Sequence, residues 1–156
     1  MKSLIIYSGG LDSTVLLHQY KTEIGLAVSF NYGSKHNERE IRFAEKNCRK
    51  LGLPHIVIPL PFFRHFKSDL LKSGGEIPTG NYAEENMKST VVPFRNGIML
   101  SIAAGIAESN ELGAVLIANH GGDHSIYPDC RTEFIRAWQK ARSFRLSMMK
   151  KQWRPY

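Results

Sequence analysis

The sequence predicts an α/β fold, an open parallel sheet with helices on both faces. Three observations predict it. Short apolar runs of strand length alternate with longer stretches of helical period along the chain. The first run is apolar on successive residues rather than on every second one, as a strand buried on both faces is. Glycine closes the first two of these runs and also ends the long charged helix after them.

Each element follows in order. Ser3–Tyr7 is a short apolar run ending in a glycine turn and reads as a buried strand. Asp12-Ser13-Thr14 opens a helix with good capping chemistry, which continues through Val15, Leu16 and Leu17. Gly25–Tyr32 is a second strand, closed by Gly33. Over Asn37–Leu51, the residues Ile41, Ala44, Cys48 and Leu51 recur at helical spacing among charges, and Gly52 ends this amphipathic helix as a C-cap. His55–Leu60 is a third strand after Pro54. Residues 61–94 break the periodicity with Pro61, Pro78, Pro93, Gly74, Gly75 and Gly80. A long insertion is expected there, with short helical pieces around Phe63–Leu71, serving as a binding loop or as a plain surface excursion. Asn96–Ser109, with Ile98, Ser101, Ile102, Gly105 and Ile106, is a small-residue helix suited to close packing on a sheet. Ala114–Ala118 is a fourth strand, Gly121–Asp129 a loop and Arg131–Lys140 a helix. The arrangement is Rossmann-like, without internal repeats or low-complexity segments.

Composition sets limits. The chain has 156 residues, 42% hydrophobic, 22% charged and 10% aromatic, as expected of one globular domain or part of a larger one. No apolar run reaches the roughly 18 residues needed to span a bilayer, so no membrane partner is expected. The N-terminus has one cation and a very short apolar stretch, a poor signal peptide. Two cysteines, Cys48 and Cys130, cannot build a disulfide framework, so a cytoplasmic, reducing setting is expected. The net charge of +7 is unevenly spread. Residues 136–156 hold seven cations and no acid, while 14 Lys/Arg in residues 1–135 face 14 Asp/Glu. The excess therefore sits in the basic end, and nucleic acid is not expected as a partner of the neutral body.

The segment that carries chemistry is Tyr7-Ser8-Gly9-Gly10-Leu11-Asp12-Ser13-Thr14, where the first strand meets the first helix. A helix N-terminus presents free N–H groups and a positive dipole end to phosphate. Gly9 and Gly10 let the backbone approach an anion, and Ser8 and Ser13 add hydroxyl donors. Asp12 fits such a nest if it caps the loop's amides or holds Mg²⁺ beside the phosphates. The segment lacks the Gly-Lys-Ser/Thr of a Walker A loop and the G-x-G-x-x-G of dinucleotide folds. The full Ser-Gly-Gly-x-Asp-Ser resembles the PP-loop of the ATP-pyrophosphatase superfamily, whose fold is of the adenine nucleotide alpha hydrolase type. That resemblance implies cleavage of ATP to AMP and pyrophosphate.

Three further segments narrow the resemblance: Phe30-Asn31-Tyr32-Gly33-Ser34-Lys35-His36-Asn37-Glu38, Val92-Pro93-Phe94-Arg95-Asn96-Gly97 and Tyr127-Pro128-Asp129-Cys130-Arg131-Thr132-Glu133-Phe134. With the loop, and in this order, they resemble the 7-cyano-7-deazaguanine synthase family, ligases of queuosine biosynthesis, over residues 1 to about 137. The resemblance implies an ATP-dependent carbon–nitrogen ligase that turns 7-carboxy-7-deazaguanine and ammonia into the nitrile through an adenylate, with ATP and Mg²⁺ at the site. It implies that Tyr7, Ser8, Gly9, Gly10, Leu11, Asp12, Ser13, Thr14, Val15, Leu16 and Leu17 line the nucleotide site. Asp12, Lys35 and Arg95 are the expected catalytic residues, and His36, Tyr127, Asp129 and Arg131 the expected substrate contacts. Plainer roles stand beside these: a surface ion pair for Arg95, capping or solvation for Lys35 and His36, and helix capping for Asp129. His120, Asp123, His124 and Cys130 resemble a loose metal cluster, but Gly121-Gly122 argues for a loop, and no metal site is expected from them. Cys130 as a nucleophile lacks an identifiable base.

The family implies zinc held by a C-terminal cysteine cluster, and this sequence has no C-x₂-C. The expected organisation is an incomplete PP-loop domain over 1–137 and an atypical basic tail over 138–156, with truncation or a frame change near residue 138. Self-association, for example as a homodimer, or completion by a partner chain is expected to cover exposed apolar surface. A tRNA-modifying PP-loop enzyme and a non-catalytic nucleotide-binding fragment remain open as alternatives.

Overall fold

The chain alternates strand and helix in the computed structural model, which describes residues 1–76, 88–119 and 127–141. The order is β1 (Ser3–Ile6), α1 (Leu11–Gln19), β2 (Ile24–Asn31), α2 (Asn37–Leu51), β3 (His55–Pro59), α3 (Arg95–Ser109), β4 (Ala114–Leu116) and α4 (Thr132–Ala141). Among the described residues, four strands form one parallel sheet in the order β3-β2-β1-β4. The expected α/β class with a parallel sheet is what folds.

Alternation along the strands divides the core into two layers. Leu4, Val28, Phe30 and Val115 pack with Met99, Leu100, Ala103 and Ala107 of α3 and with Ile135 of α4. Ile5, Tyr7, Ala27 and Leu116 pack with Leu16 and Leu17 of α1 and with Ala44 and Cys48 of α2. Helices therefore cover both faces, and each fully buried Leu or Ile contributes about 1.5–3 kcal/mol. Because β1 lies between β2 and β4, the direction of winding reverses between β1 and β4. In such sheets a crevice opens there, outside the carboxyl ends of the strands.

Several expectations shift. Helix α1 starts at Leu11, with Gly10 in extended backbone as its N-cap, so Asp12, Ser13 and Thr14 lie inside the first turn instead of before it. The helical piece expected around Phe63–Leu71 is a 3₁₀ turn at Pro61–His65, since proline's fixed φ suits the first helical position. The chain after it docks rather than wanders. Leu70 accepts from the Lys35 amide (3.0 Å), and the Lys72 amide donates to Gly33 (2.9 Å). Phe63 and Leu71 are buried in the core. In α3 the close packing comes from Ala103, Ala104 and Ala107, whereas a Cβ on Gly105 would meet nothing within 4 Å. Pro78 and Gly80, the loop residues 120–126 and the basic stretch from residue 142 lie outside the described residues. No helix among the described residues is long and apolar enough to cross a membrane.

Candidate functional site

The turn from β1 into α1 is held by its own short side chains. The Ser8 hydroxyl accepts the Gly10 N–H (3.1 Å) and bonds the Ser13 hydroxyl (3.0 Å). The Gly10 carbonyl takes the Thr14 amide (3.0 Å) and the hydroxyls of Ser13 (3.1 Å) and Thr14 (2.8 Å). Gly9 has φ +86°, and a Cβ there would lie 2.1 Å from the Glu40 carbonyl oxygen. Only glycine lets the turn lie this close to α2. Below the turn, the fully buried Tyr7 braces both neighbouring helices. Its phenol bonds Thr14 of α1 (3.1 Å) and accepts from Asn47 of α2 (2.8 Å). The turn is thus fixed, and it presents the first-turn amides of α1, which have no intrahelical acceptor.

A cavity of about 330 Å³ opens at the carboxyl ends of the strands, next to this turn. The ends of β1 and β2 and the residues after β4 floor it through Ile6, Phe30 and Ile117, while Ser8, Asp12 and Ser13 form its loop side. Its opposite wall is α3, which begins at an unusual corner. Phe94 adopts φ +53°, its ring covers Gly97, and it packs edge-to-face on Phe134 of α4 (5.6 Å). The following Arg95 turns into the cavity, where its guanidinium lies over the Tyr32 ring (5.7 Å) and donates to the Tyr32 hydroxyl (3.3 Å). Asn37 shapes the β2 end. Its side-chain oxygen accepts the amides of Tyr32 (3.0 Å) and Ser34 (3.1 Å), and its amide donates to the Phe30 carbonyl (3.2 Å).

The residues expected from the sequence divide into those the cavity gathers and those it does not. Tyr7, Ser8, Asp12, Ser13, His36 and Arg95 line it. Gly9, Gly10 and Thr14 build the turn behind it. Leu11 is 80% exposed, Val15 is also exposed, and Leu16 and Leu17 are core. Lys35 is not in the lining; its ammonium donates to the carbonyls of Asp69 (2.8 Å) and Gly75. Asp129 is buried, and its carboxylate accepts the backbone N–H of Asn96 in the first turn of α3 (2.6 Å). It caps a helix, though a different helix from the one following it in sequence. Tyr127 is half-buried at the start of a 3₁₀ turn over Pro128–Cys130, and Arg131 is exposed at its end. His120, Asp123 and His124 lie outside the described residues.

Three residues that sequence reasoning passed over belong to the site. Glu40 lines the cavity one helical turn after His36. Burial lifts its carboxyl above the ordinary glutamate range, against the opposing pull of His36 and Arg95. On a helix as charged as α2 a glutamate reads as solvated, but the glycine turn packs against it and Glu40 is half-buried. Asn96 is buried and donates its side-chain amide to the Cys130 sulfur (3.1 Å), and both line the cavity. Ser29 on β2 is 1% exposed and touches the Tyr7 carbonyl (2.5 Å). Cys48 is core, with burial pushing its thiol up to about 11. Among the described residues, no three His, Cys, Asp or Glu side chains converge as a metal site.

With the geometry established, comparison with known proteins gives consistent results. The family model for queuosine biosynthesis protein QueC matches residues 2–154. A 7-cyano-7-deazaguanine synthase of Porphyromonas gingivalis is 60% identical over 140 residues, covering 89% of this chain and 64% of that protein. Its counterpart from Desulfotalea psychrophila is 56% identical over 142 residues (89% and 65%), and that from Rhizobium rhizogenes 48% over 144 (90% and 60%). The chain therefore spans somewhat less than two thirds of the length of the curated relatives it matches. The crystal structure of a predicted subunit of tRNA methyltransferase from Methanocaldococcus jannaschii shares the fold, with a TM-score of 0.60 at 16% identity, covering 100% of this chain and 70% of that one. Since the match runs over nearly every residue and the family's relatives align at such high identity, this chain belongs to the QueC family of queuosine biosynthesis proteins.

Proposed function

We propose that the chain carries the nucleotide site of an ATP-dependent carbon–nitrogen ligase that converts 7-carboxy-7-deazaguanine and ammonia into 7-cyano-7-deazaguanine. The observation that carries this reading is the fixed Ser8–Thr14 turn at the point where the strand order reverses, in a chain 60% identical to a synthase of that name. A carboxylate is a poor electrophile at neutral pH. Its oxygen attacks the α-phosphorus of ATP, pyrophosphate leaves, and an acyl adenylate forms. Ammonia then adds at the carbonyl carbon and AMP departs, leaving the amide. Adenylation of the amide oxygen by a second ATP, followed by loss of AMP and two protons, gives the nitrile.

The residues act by positioning and charge stabilisation. The first-turn amides of α1 hold phosphate oxygens, and the hydroxyls of Ser8 and Ser13, bonded to each other and to the Gly10 backbone, fix the turn that presents those amides. Arg95, aimed by its contact with Tyr32, meets negative charge from the opposite wall. His36 also lines the cavity. Asp12 at the mouth and Glu40 beside Gly10 are hard oxygen donors within one cavity, a set that fits Mg²⁺, which takes one or two carboxylates and completes its shell with phosphates and water. Bound there, Mg²⁺ supplies neutralisation of phosphate charge. Among the described residues no zinc cluster forms: Cys48 lies in the core with α1, and Cys130 lies beside Asn96. Asp129 serves this reading from behind the cavity by fixing the start of α3, and Lys35 by tying the segment after β3 to the chain just after β2.

The test is incubation with ATP, Mg²⁺, ammonia and 7-carboxy-7-deazaguanine, following AMP and the nitrile. AMP and nitrile formed together support the reading. ATP binding without AMP under these conditions, or AMP that appears only with tRNA, would sink it.

A further inference from the structure

A chain of hydrogen bonds crosses three strands of the sheet and ends at the phosphate loop. The Ser29 hydroxyl on β2 donates to the Tyr7 carbonyl at the end of β1 (2.5 Å). The same oxygen lies 2.7 Å from Nε2 of His55, at the start of β3. A carbonyl cannot donate, so Ser29 spends its one proton on Tyr7 and must accept from His55. That fixes the proton of His55 on Nε2. Ser29 is 1% exposed, so the hydroxyl has no water to turn to.

The peptide unit explains why this matters. The Tyr7 carbonyl and the Ser8 N–H belong to one planar trans unit and point in opposite directions. The Tyr7 amide bonds Val28 (2.8 Å), and its carbonyl bonds Ser29, so both of its backbone groups face β2. The Ser8 N–H therefore faces the other way, toward β4. With the strands ordered β3-β2-β1-β4, that direction is the crevice where the winding reverses.

We propose that Ser29 and His55 are positioning residues for the nucleotide: their relay locks the Tyr7–Ser8 peptide so that the Ser8 amide aims at a phosphate oxygen of ATP. The proposal rests on the nucleotide reading of the loop. Both act through the Tyr7 carbonyl, on which the one proton of Ser29 is spent. Rotation of that one peptide turns the Ser8 donor away and presents a carbonyl oxygen to the phosphate instead.

The experiment measures ATP affinity by calorimetry on folded protein, with KM for ATP and for ammonia determined separately. Ser29→Ala should weaken ATP about tenfold, the loss of one hydrogen bond to a charged group. KM for ammonia should not change. Ser29→Thr restores the hydroxyl and should restore affinity. His55→Ala should weaken ATP by a smaller factor, and His55→Gln, which keeps a donor, should recover it. Because His55 sits half-buried on an outer strand, His55→Ala tests the relay even if Ser29→Ala does not fold. Unchanged ATP affinity in folded Ser29→Ala or His55→Ala would overturn the relay while leaving the nucleotide reading intact. Equal losses for ATP and ammonia, without rescue by Ser29→Thr, would reduce both residues to plain packing. No ATP binding by the unaltered protein would overturn the nucleotide reading and the relay with it.

Discussion

A methyl group added at Gly9 would sit 2.1 Å from the Glu40 carbonyl oxygen, on a backbone already at φ +86°. Gly33 offers the contrast: φ +80°, with nothing within 4 Å of its missing Cβ. Gly33→Ala should cost only left-handed strain, about 1–2 kcal/mol. Gly9→Ala adds a backbone collision that cannot relax without moving α2, so at least about 3 kcal/mol is expected, with loss of ATP binding. Urea denaturation of both variants measures the difference; equal costs would mean that the close approach is not what glycine is for. Glu40 makes a second prediction at this scale. Burial raises its carboxyl pKa, so the folded state prefers the neutral acid. Its contribution to stability is present below the unfolded carboxyl pKa and is lost as pH rises through the folded value. Without ligand, Glu40→Gln should therefore match or exceed the parent's melting temperature at pH 7 and lose that advantage at acid pH. Its affinity for Mg²⁺–ATP should fall. A variant less stable at pH 7 than at pH 4, relative to the parent, would reverse the sign argued here.

Helix α3 depends on a contact made 33 positions away in sequence. Its N-cap, Phe94, sits in left-handed backbone and makes no side-chain capping bond, while the buried Asp129 carboxylate takes the Asn96 amide at 2.6 Å. A carboxylate at a helix N-terminus is favoured by both the free amide and the dipole. Asp129→Ala should cost about 2–3 kcal/mol, since it removes a charge-assisted bond and strands a buried amide. Asp129→Asn should cost less than half of that. Because Arg95 starts the same helix, both variants should also raise KM for ATP, which steady-state kinetics checks. Unchanged KM in Asp129→Ala would separate the cap from Arg95. This contact also marks the limit of what the sequence discloses. Helix α2 was legible to the residue at both ends because its evidence is local, a charged amphipathic repeat closed by Gly52 in left-handed backbone. The glycine turn between β1 and α1 was legible for the same reason. The start of α1 was misplaced because Gly10 caps with its backbone and carries no side chain to announce it. Asp129 on α3, Ser29 on Tyr7 and Glu40 under Gly9 were not legible, since each is created by two segments that only the folded sheet brings together.

Ligand and fold are coupled over the whole molecule, and the size of the coupling can be stated. A ligand that binds only the folded state at about 100 times its dissociation constant adds about 2.7 kcal/mol. For a domain of this size each kcal/mol moves the melting temperature by roughly 2–4 °C, so saturating Mg²⁺–ATP should raise it by roughly 5–10 °C. Two competing sources of such a shift can be set apart by charge. Fourteen cations in residues 1–135 are balanced by 14 acids, and the excess of seven cations lies in residues 136–156. If ATP were held by that basic stretch, the attraction would be screened as the Debye length falls from about 10 Å at 0.1 M salt to about 3 Å at 1 M. Held by amides and Arg95 in the cavity, it should keep most of its shift across that range. Metal removal works the opposite way. Asp12 and Glu40 repel bare phosphate, so a chelator should cut the shift to less than half, and Glu40→Gln should recover part of it without Mg²⁺. A thermal melt with ATP, with and without chelator, at low and high salt, reads all four cases. A shift that vanishes with salt and ignores the chelator would move ATP out of the crevice between β1 and β4, and the roles given to the loop would go with it.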